Sequence, residues 1–362
     1  MIYRKHIKYF FGFVIGCNST NHKETLDIIP RSKTEILSEA HLDWQQFFET
    51  PHQNNIKKPA TTVQNHNKNL YTQAKNHIHK KNLLKAEHTL QAYLRVHGLE
   101  KEPLLDLVMV HIQRHHIKDA FITLQSLREH LSHLEEIPSG FLFRYRYTTA
   151  IAYLLNGDHS EGRRILVDLI HKDQSFRPGY QALASSYLAQ NQDNIAKFII
   201  QRGIDQSEPS PAFYNLLGAL SMNKNEILNA QKWFRKSLKM QPEYTPTLVN
   251  LAKLEISRRE YVSADHHLQL ALKSNPNSIE SLVTLGLLKQ KTGDHKKSLI
   301  AFQKALELYP EHKIARFNMA TLLANHLQKP IEALRYFHEV KQLSAPGESL
   351  HKVASSYIDD MQ

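Results

Sequence analysis

The sequence predicts an all-α fold: an α-solenoid superhelix of about eight helical hairpins, preceded by a disordered tether. Three observations carry that reading. Side chains of fixed size recur every 34 residues over the C-terminal half of the chain. Gly (12) and Pro (14) together make up about 7% of the 362 residues, too little punctuation for a turn-rich β-sandwich or barrel. Hydrophobic residues are 41% of the chain, enough to bury a core along most of its length.

The spacing is plainest between 211 and 312. Ala230, Ala264 and Ser298 lie 34 apart, as do Phe234, Leu268 and Phe302, and so do Ser237, Ala271 and Ala305. Pro242, Pro276 and Pro310 follow the same step. Upstream in each unit Tyr214, Leu217 and Gly218 reappear as Leu248, Leu251 and Ala252, then as Leu282, Leu285 and Gly286. Small residues let two antiparallel helices approach closely, and a bulky residue fills the space beside them. Proline lacks an N–H and fixes φ, so it ends one hairpin and begins the next.

This pattern resembles the tetratricopeptide repeat, with its large residue, Leu and Gly on a first helix, Ala, aromatic and Ala on a second, and Pro after it. Extending the frame gives eight units, with Ala86, Ala120, Gly162, Ala196, Ala230, Ala264, Ser298 and Ala333 at the same repeat position. Two steps are irregular: eight residues are inserted around 135–142, and one near Lys329 and Pro330. Residues 67–142 then form two degenerate repeats, in which His77 and His111 are inter-helix packing residues, and 143–347 form six repeats. The unit at 143 has Arg146 where a large apolar residue is usual. Residues 348–362 carry Leu350, Val353, Ala354, Tyr357 and Ile358 at helical spacing, a capping helix over the last apolar surface.

The N-terminus places basic residues before a short apolar run, Tyr9 to Gly16, well short of the roughly 20 residues that span a bilayer as a helix. Residues Val14, Ile15, Gly16 and Cys17 resemble a bacterial lipoprotein box. That resemblance implies a signal peptide over 1–16 and a lipidated Cys17 as the mature N-terminus, a strong anchor because it carries several acyl chains. Asn18 after the cysteine implies the outer membrane, facing the periplasm. Residues 17–66 read as a flexible linker, being too polar to bury a core. Within it Ile36, Leu37, Ala40, Trp44, Phe47 and Phe48 suggest a short helix over 33–49, docked on the first repeat or, alternatively, presented to a partner.

The charge balance is 46 basic against 35 acidic residues, a net +11 spread along the chain without a clustered stripe. That pattern argues against nucleic acid and for solubility or weak attraction to anionic surfaces. Cys17 is the only cysteine, so an intramolecular disulfide and a cysteine-based zinc cluster are excluded. The 23 histidines include helical pairs such as His111 with His115 and His130 with His133, but no carboxylate or cysteine joins them at a ligand spacing, and no metal site is expected. No phosphate-cradling loop, nucleophile elbow or zinc-protease motif is present, so no cofactor, small-molecule substrate or catalytic residue is assigned.

The repeat resemblance implies instead a concave groove lined by the first helices. On that pattern the groove residues are Gln181, Ser185, Asn215, Asn223, Asn250, Lys253, Gln290, Lys291, Asn318, Thr321 and Asn325. Amides and lysines suit an extended peptide or a helix from another protein, whose polar groups need partners. The clamp by which chaperone-binding members hold a C-terminal carboxylate is absent: Asn215, Ala219, Asn250, Glu280 and Thr284 stand at its positions. The expected function is that of a non-catalytic scaffold lipoprotein that positions partner proteins at a bacterial cell envelope. The architecture resembles pilotins and other assembly factors for pili, secretins and polysaccharide export. A soluble cytoplasmic adaptor and a glycan-processing enzyme are the alternatives.

Overall fold

A computed structural model describes the backbone of residues 62–361 and the side chains of 70–361. The expected signal peptide over 1–16, Cys17, most of the linker and the helix over 33–49 lie outside the described residues. The described residues form helices joined by short turns, and the first helix begins at Thr62, ahead of the expected first repeat at 67.

Eight antiparallel hairpins follow one another. They pair α1 (Thr62–His79) with α2 (Leu83–His97), α3 (Lys101–Gln113) with α4 (Ile117–Ser132), and α5 (Ser139–Asn156) with α6 (His159–Lys172). Next come α7 (Arg177–Leu188) with α8 (Asp193–Gln206), and α9 (Pro211–Asn223) with α10 (Ile227–Met240). The last three are α11 (Thr245–Ser257) with α12 (Tyr261–Ser274), α13 (Ile279–Lys291) with α14 (His295–Leu308), and α15 (Lys313–Asn325) with α16 (Pro330–Leu343). A single helix, α17 (Ser349–Met361), closes the array. Every substantial helix-to-helix contact joins neighbours in the stack, as in a solenoid stabilised unit by unit.

The period has a local cause in each turn. One residue per hairpin turn takes a left-handed conformation: Lys81, His115, Gly157, Asn191, Asn225, Arg259, Gly293 and Gln328, with φ between 54° and 95°. The N–H after it closes a wide ring back onto the first helix, as from His116 to the His111 carbonyl (2.8 Å) and from Glu260 to Glu255 (2.9 Å). The second helix then starts, sometimes with a side-chain cap, as where Asp294 Oδ1 accepts from the Lys297 N–H at 3.2 Å. Pro178, Pro211, Pro246 and Pro330 occupy first-turn positions where a missing N–H costs nothing.

The small residues meet the large ones across the hairpin. All eight members of the series from Ala86 to Ala333 are buried, and Phe234, Phe302 and Phe337 are among the largest fully buried side chains. A Cβ on Gly218 or Gly286 would sit well inside 3.0 Å of the Phe234 or Phe302 ring. The insertion before the third unit is absorbed in a longer α4, a loop over 133–138 and an 18-residue α5, against 13 residues for α9, α11, α13 and α15. The extra residue near Pro330 lies in the turn between α15 and α16. Arg146 is held by Asp168 of α6 at 3.0 Å, which explains how a charge is tolerated at a usually apolar position. His111 is buried with Nδ1 3.3 Å from Thr123 Oγ1, a packing contact between α3 and α4. At the far end Ala354 and Ile358 of α17 are buried, and Tyr357 stacks on Phe337 with centroids 4.6 Å apart.

Candidate functional site

The odd-numbered helices α1 to α15 form one layer and carry the residues expected to line the groove. This inner layer is the more buried one. In α11 every residue from Thr245 to Ile256 is buried, although amphipathic surface helices keep a solvated stripe.

Polar groups on this layer fall into two sets. The first is paired within the fold. Asn215 Oδ1 accepts from Thr247 Oγ1 at 3.1 Å and from Asn250 Nδ2 at 3.0 Å, and Ser237 Oγ lies 2.7 Å from Thr247 Oγ1. This ladder ties the fifth unit to the sixth. Ser185 donates to the Gln181 carbonyl (2.8 Å) and Thr321 to the Asn318 carbonyl (2.9 Å), each within its own helix. Asn325 bonds Tyr357 of the terminal helix. The second set keeps hydrogen-bonding capacity. Gln181 donates through Nε2 to Ser210 Oγ at 2.8 Å, but among the described residues nothing bonds its Oε1, though the residue is only 2% exposed. Asn318 is likewise buried, with no partner for Nδ2. Unsatisfied buried polar atoms are few in native folds, and each costs about 1–3 kcal/mol.

Lys253 is buried on the same layer, at 7% exposure. Gln290 is half-buried, while Asn223 and Lys291 stand exposed at helix ends beside the hairpin turns. The predicted residues therefore do not form one continuous strip. Gln181, Ser185, Asn215, Asn250, Lys253 and Asn318 share the buried inner layer, and the rest sit at its edges.

Two features of this layer escaped the sequence reading. Tyr71 donates to Asp106 Oδ2 at 2.8 Å. Burial pushes the Asp106 carboxyl up to about 6, against the Tyr71 hydrogen bond and the Lys75 and Arg144 charges, which pull it down. Asp106 falls at the same repeat position as Asn250 and Asn318, so the frame already placed it on the inner layer. The second feature joins the two ends of the stack. His115, in the second hairpin turn, stacks on Tyr309, between the seventh and eighth units, with centroids 4.6 Å apart. Tyr309 meets His312 edge-on at 5.6 Å, and His312 Nδ1 accepts the Ala315 N–H at 3.0 Å as the cap of α15. Burial drives His312 down to about 4, and His115 is lowered for the same reason. Nothing in the spacing announces a contact between residues so far apart.

Elsewhere an open cleft of about 490 Å³ between α10 and α12 is lined by Arg235, Leu238, Glu255 and His267 among others, and by none of the predicted residues. Among the described residues no three metal-ligating side chains converge, and no helix is long and apolar enough to cross a membrane.

A family model described as tetratricopeptide repeat matches residues 211–244 and 279–312. The crystal structure of the APC/C hetero-tetramer Cut9–Hcn1 is similar at a TM-score of 0.52 and 17% identity, covering 77% of this chain and 52% of that one. This chain thus spans about half the length of that relative. Yeast Tom70 is similar at a TM-score of 0.54 and 12% identity, covering 90% of this chain and 69% of that one. A tetratricopeptide repeat protein from Parabacteroides merdae gives 0.49 and 14%, over 72% of this chain and 99% of that one. At such identities the likeness is one of fold. Comparison with curated proteins finds no match.

Proposed function

From a chain that is a solenoid of tetratricopeptide repeats, we propose a non-catalytic scaffold that holds an extended segment of a partner protein along its inner layer. The architecture is that of protein-interaction scaffolds. The observation that carries the proposal is the pair of buried, unsatisfied polar atoms, Gln181 Oε1 and Asn318 Nδ2. One is an acceptor and the other a donor, the complement of a peptide's N–H and C=O. A bound backbone would satisfy both, and hydrogen bonds formed in a dehydrated groove are the interactions most sensitive to truncation. Because the inner layer is buried, the stack must open for a partner to enter. Small rotations at each hairpin interface supply such movement in a solenoid.

The reading extends to location. A lipid on Cys17 would tether the scaffold to a bacterial envelope, at the outer membrane facing the periplasm, where it would assist assembly of a pilus, secretin or polysaccharide exporter. The support is the sequence from Val14 to Asn18.

Peptides selected from a random displayed library against the full chain test the first part. Gln181→Ala and Asn318→Ala should each weaken a selected peptide by about tenfold, in line with about 1–2 kcal/mol per hydrogen bond lost. Unchanged affinity in both variants would remove the inner layer from the binding site. The second part rests on intact mass. Membrane-derived protein should begin at Cys17 with acyl chains attached, and Cys17→Ser should lose them; an unlipidated full-length mass would refute the anchor.

A further inference from the structure

The inner layer is more buried than the packing of the described helices accounts for. Val249, Lys253 and Ile256 of α11 lie four and three residues apart, one stripe at the repeat positions that face the groove, and all three are buried. The substantial contacts of α11 run to α9, α10, α12 and α13, its neighbours in the stack. A helix flanked on two sides and backed by its own hairpin keeps a further side turned away from all of them, and in an open solenoid that side is solvated. The same stripe in α3 carries Met109, a large side chain only 3% exposed that joins none of the hydrophobic clusters of the described residues. In α7 it carries Gln181 and Ser185, both buried.

The chain's own sequence contains a segment suited to cover that stripe. Residues 33–49 lie outside the described residues, in the 61 that precede α1. Ile36, Ala40, Trp44 and Phe48 recur every fourth residue, one apolar stripe at helical spacing, and Glu35, Glu39 and Asp43 run beside it. With Glu49 and Lys33, the segment holds four acidic residues against one basic. The inner layer offers the opposite sign in Lys253 and, at the end of α13, Lys291. Two of its acids are engaged within the fold: Asp106 accepts from Tyr71 at 2.8 Å, and Glu255 lies 2.8 Å from His267 Nδ1. Glu280 lies near His115 and His312. Reach is sufficient. Residues 50–61 extend up to about 40 Å, neighbouring inner helices lie about 10 Å apart, and a 17-residue helix adds about 25 Å.

We propose that residues 33–49 dock as a helix along the inner layer of their own chain, an internal ligand that a partner must displace. The displacement rests on the groove reading above; the docking does not. Two features select this occupant over a second copy or a separate protein. A short tether gives the segment a millimolar effective concentration at the groove, so weak contacts suffice. The stack of His115 on Tyr309 joins the second turn to the far end of the array and narrows the way in for a separate molecule. The N-terminal segment is synthesised first, so the hairpins close around it. Apolar side chains on the segment meet Met109, Val249 and Ile256, and its acidic stripe lies toward Lys253 and Lys291.

The test uses the full chain with Cys17→Ser, so that no acyl chain contributes. The chain has two tryptophans, and Trp233→Phe leaves Trp44 as the sole reporter. Its emission should be blue-shifted and shielded from acrylamide. In a second chain p-benzoylphenylalanine replaces Phe48 and is photolysed at low protein concentration. Mass spectrometry should place its crosslinks on α3, α7 or α11 of the same chain. Crosslinks confined to α1 and α2, crosslinks between chains, or a solvent-exposed Trp44 would overturn the docking. This map needs no partner and no disruptive substitution, so it stands or falls apart from the groove reading. Displacement is read with the library-selected peptides. Ile36→Asp with Trp44→Asp should bind them at least about tenfold more tightly, because the tethered competitor is removed. Circular dichroism checks that the hairpins of this variant remain helical. Parental affinity in the folded double variant, where Gln181→Ala and Asn318→Ala still weaken binding, would overturn the competition and leave the groove reading intact.

Discussion

Gly218 offers the sharpest test of how the hairpins are packed. Its Cα faces the ring of Phe234, and an added Cβ would lie well inside 3.0 Å of three ring carbons. Phe234 is fully buried and has nowhere to swing. Gly218→Ala therefore sets two effects against each other. Alanine is favoured over glycine in a helix by about 1 kcal/mol. Overpacking a close-packed core costs about 1–3 kcal/mol, and a clash with a fixed ring belongs at the upper end. The net expectation is a loss of about 2 kcal/mol, read as a lower denaturant midpoint at unchanged slope. The next unit supplies the compensation, since Ala252 stands at the position of Gly218 and Leu268 at that of Phe234, both fully buried. Phe234→Leu alone should destabilise by leaving a gap, yet combined with Gly218→Ala it should recover most of both losses. The coupling should be about 2 kcal/mol in favour of the double variant. Strict additivity, or a Gly218→Ala chain as stable as the parent, would refute the pairing. Gly157→Ala is the control: nothing lies near its Cβ, so any loss there reports the left-handed backbone (φ 95°) instead.

Other expectations concern single sites. Asp106→Asn keeps an acceptor for Tyr71 while removing a carboxylate whose folded value is raised to about 6. A raised carboxyl favours the fold only when protonated, so the benefit is full below the ordinary value near 4 and is lost as pH rises through about 6. The variant should thus be more stable than the parent at pH 7.5, with the gap closing by pH 4 in parallel urea titrations. His312, held down to about 4, contributes stability above its ordinary value near 6.5 and loses it as pH falls through about 4. His312→Asn retains a cap for the Ala315 N–H without titrating and should flatten that acid limb in a thermal melt. Ala264→Trp should cost a few kcal/mol by overpacking a fully buried site; an unchanged melting curve would place the residue outside the hairpin core.

What the sequence made legible was the framework. Ala86 through Ala333 could be placed because close helix approach leaves little choice of side chain, and all eight are buried. The left-handed turn residues share the same spacing but hide in it: Lys81, His115, Arg259 and Gln328 carry no conformational signature, whereas Gly157 and Gly293 do. The inner layer was legible by position but not by pairing. Asn215 and Asn250 are on it as expected, yet they bond each other, because side chains at those positions in adjacent units come within reach.

The contact between His115 and Tyr309 tests how far nearest-neighbour reasoning holds. In a solenoid, stability is close to a sum of unit and interface terms, so a link from the second turn to the seventh unit lies outside that sum. Ring stacking contributes about 0.5–1.5 kcal/mol, little against the interfaces of eight hairpins. Tyr309→Ser should therefore barely change the denaturant midpoint. Shape is different, because small rotations accumulate over the intervening units and one contact at the far end can hold them all. The variant should show a larger radius of gyration in small-angle scattering and faster amide exchange along α11. Acidification of the parent below the range of His115 and His312 should do the same, since two imidazolium groups would then face each other beside Lys253, with Glu280 the nearby counter-charge. If Tyr309→Ser leaves the radius and the exchange of α11 unchanged, the stack is held by its hairpin interfaces alone, and access to the inner layer must be sought in them.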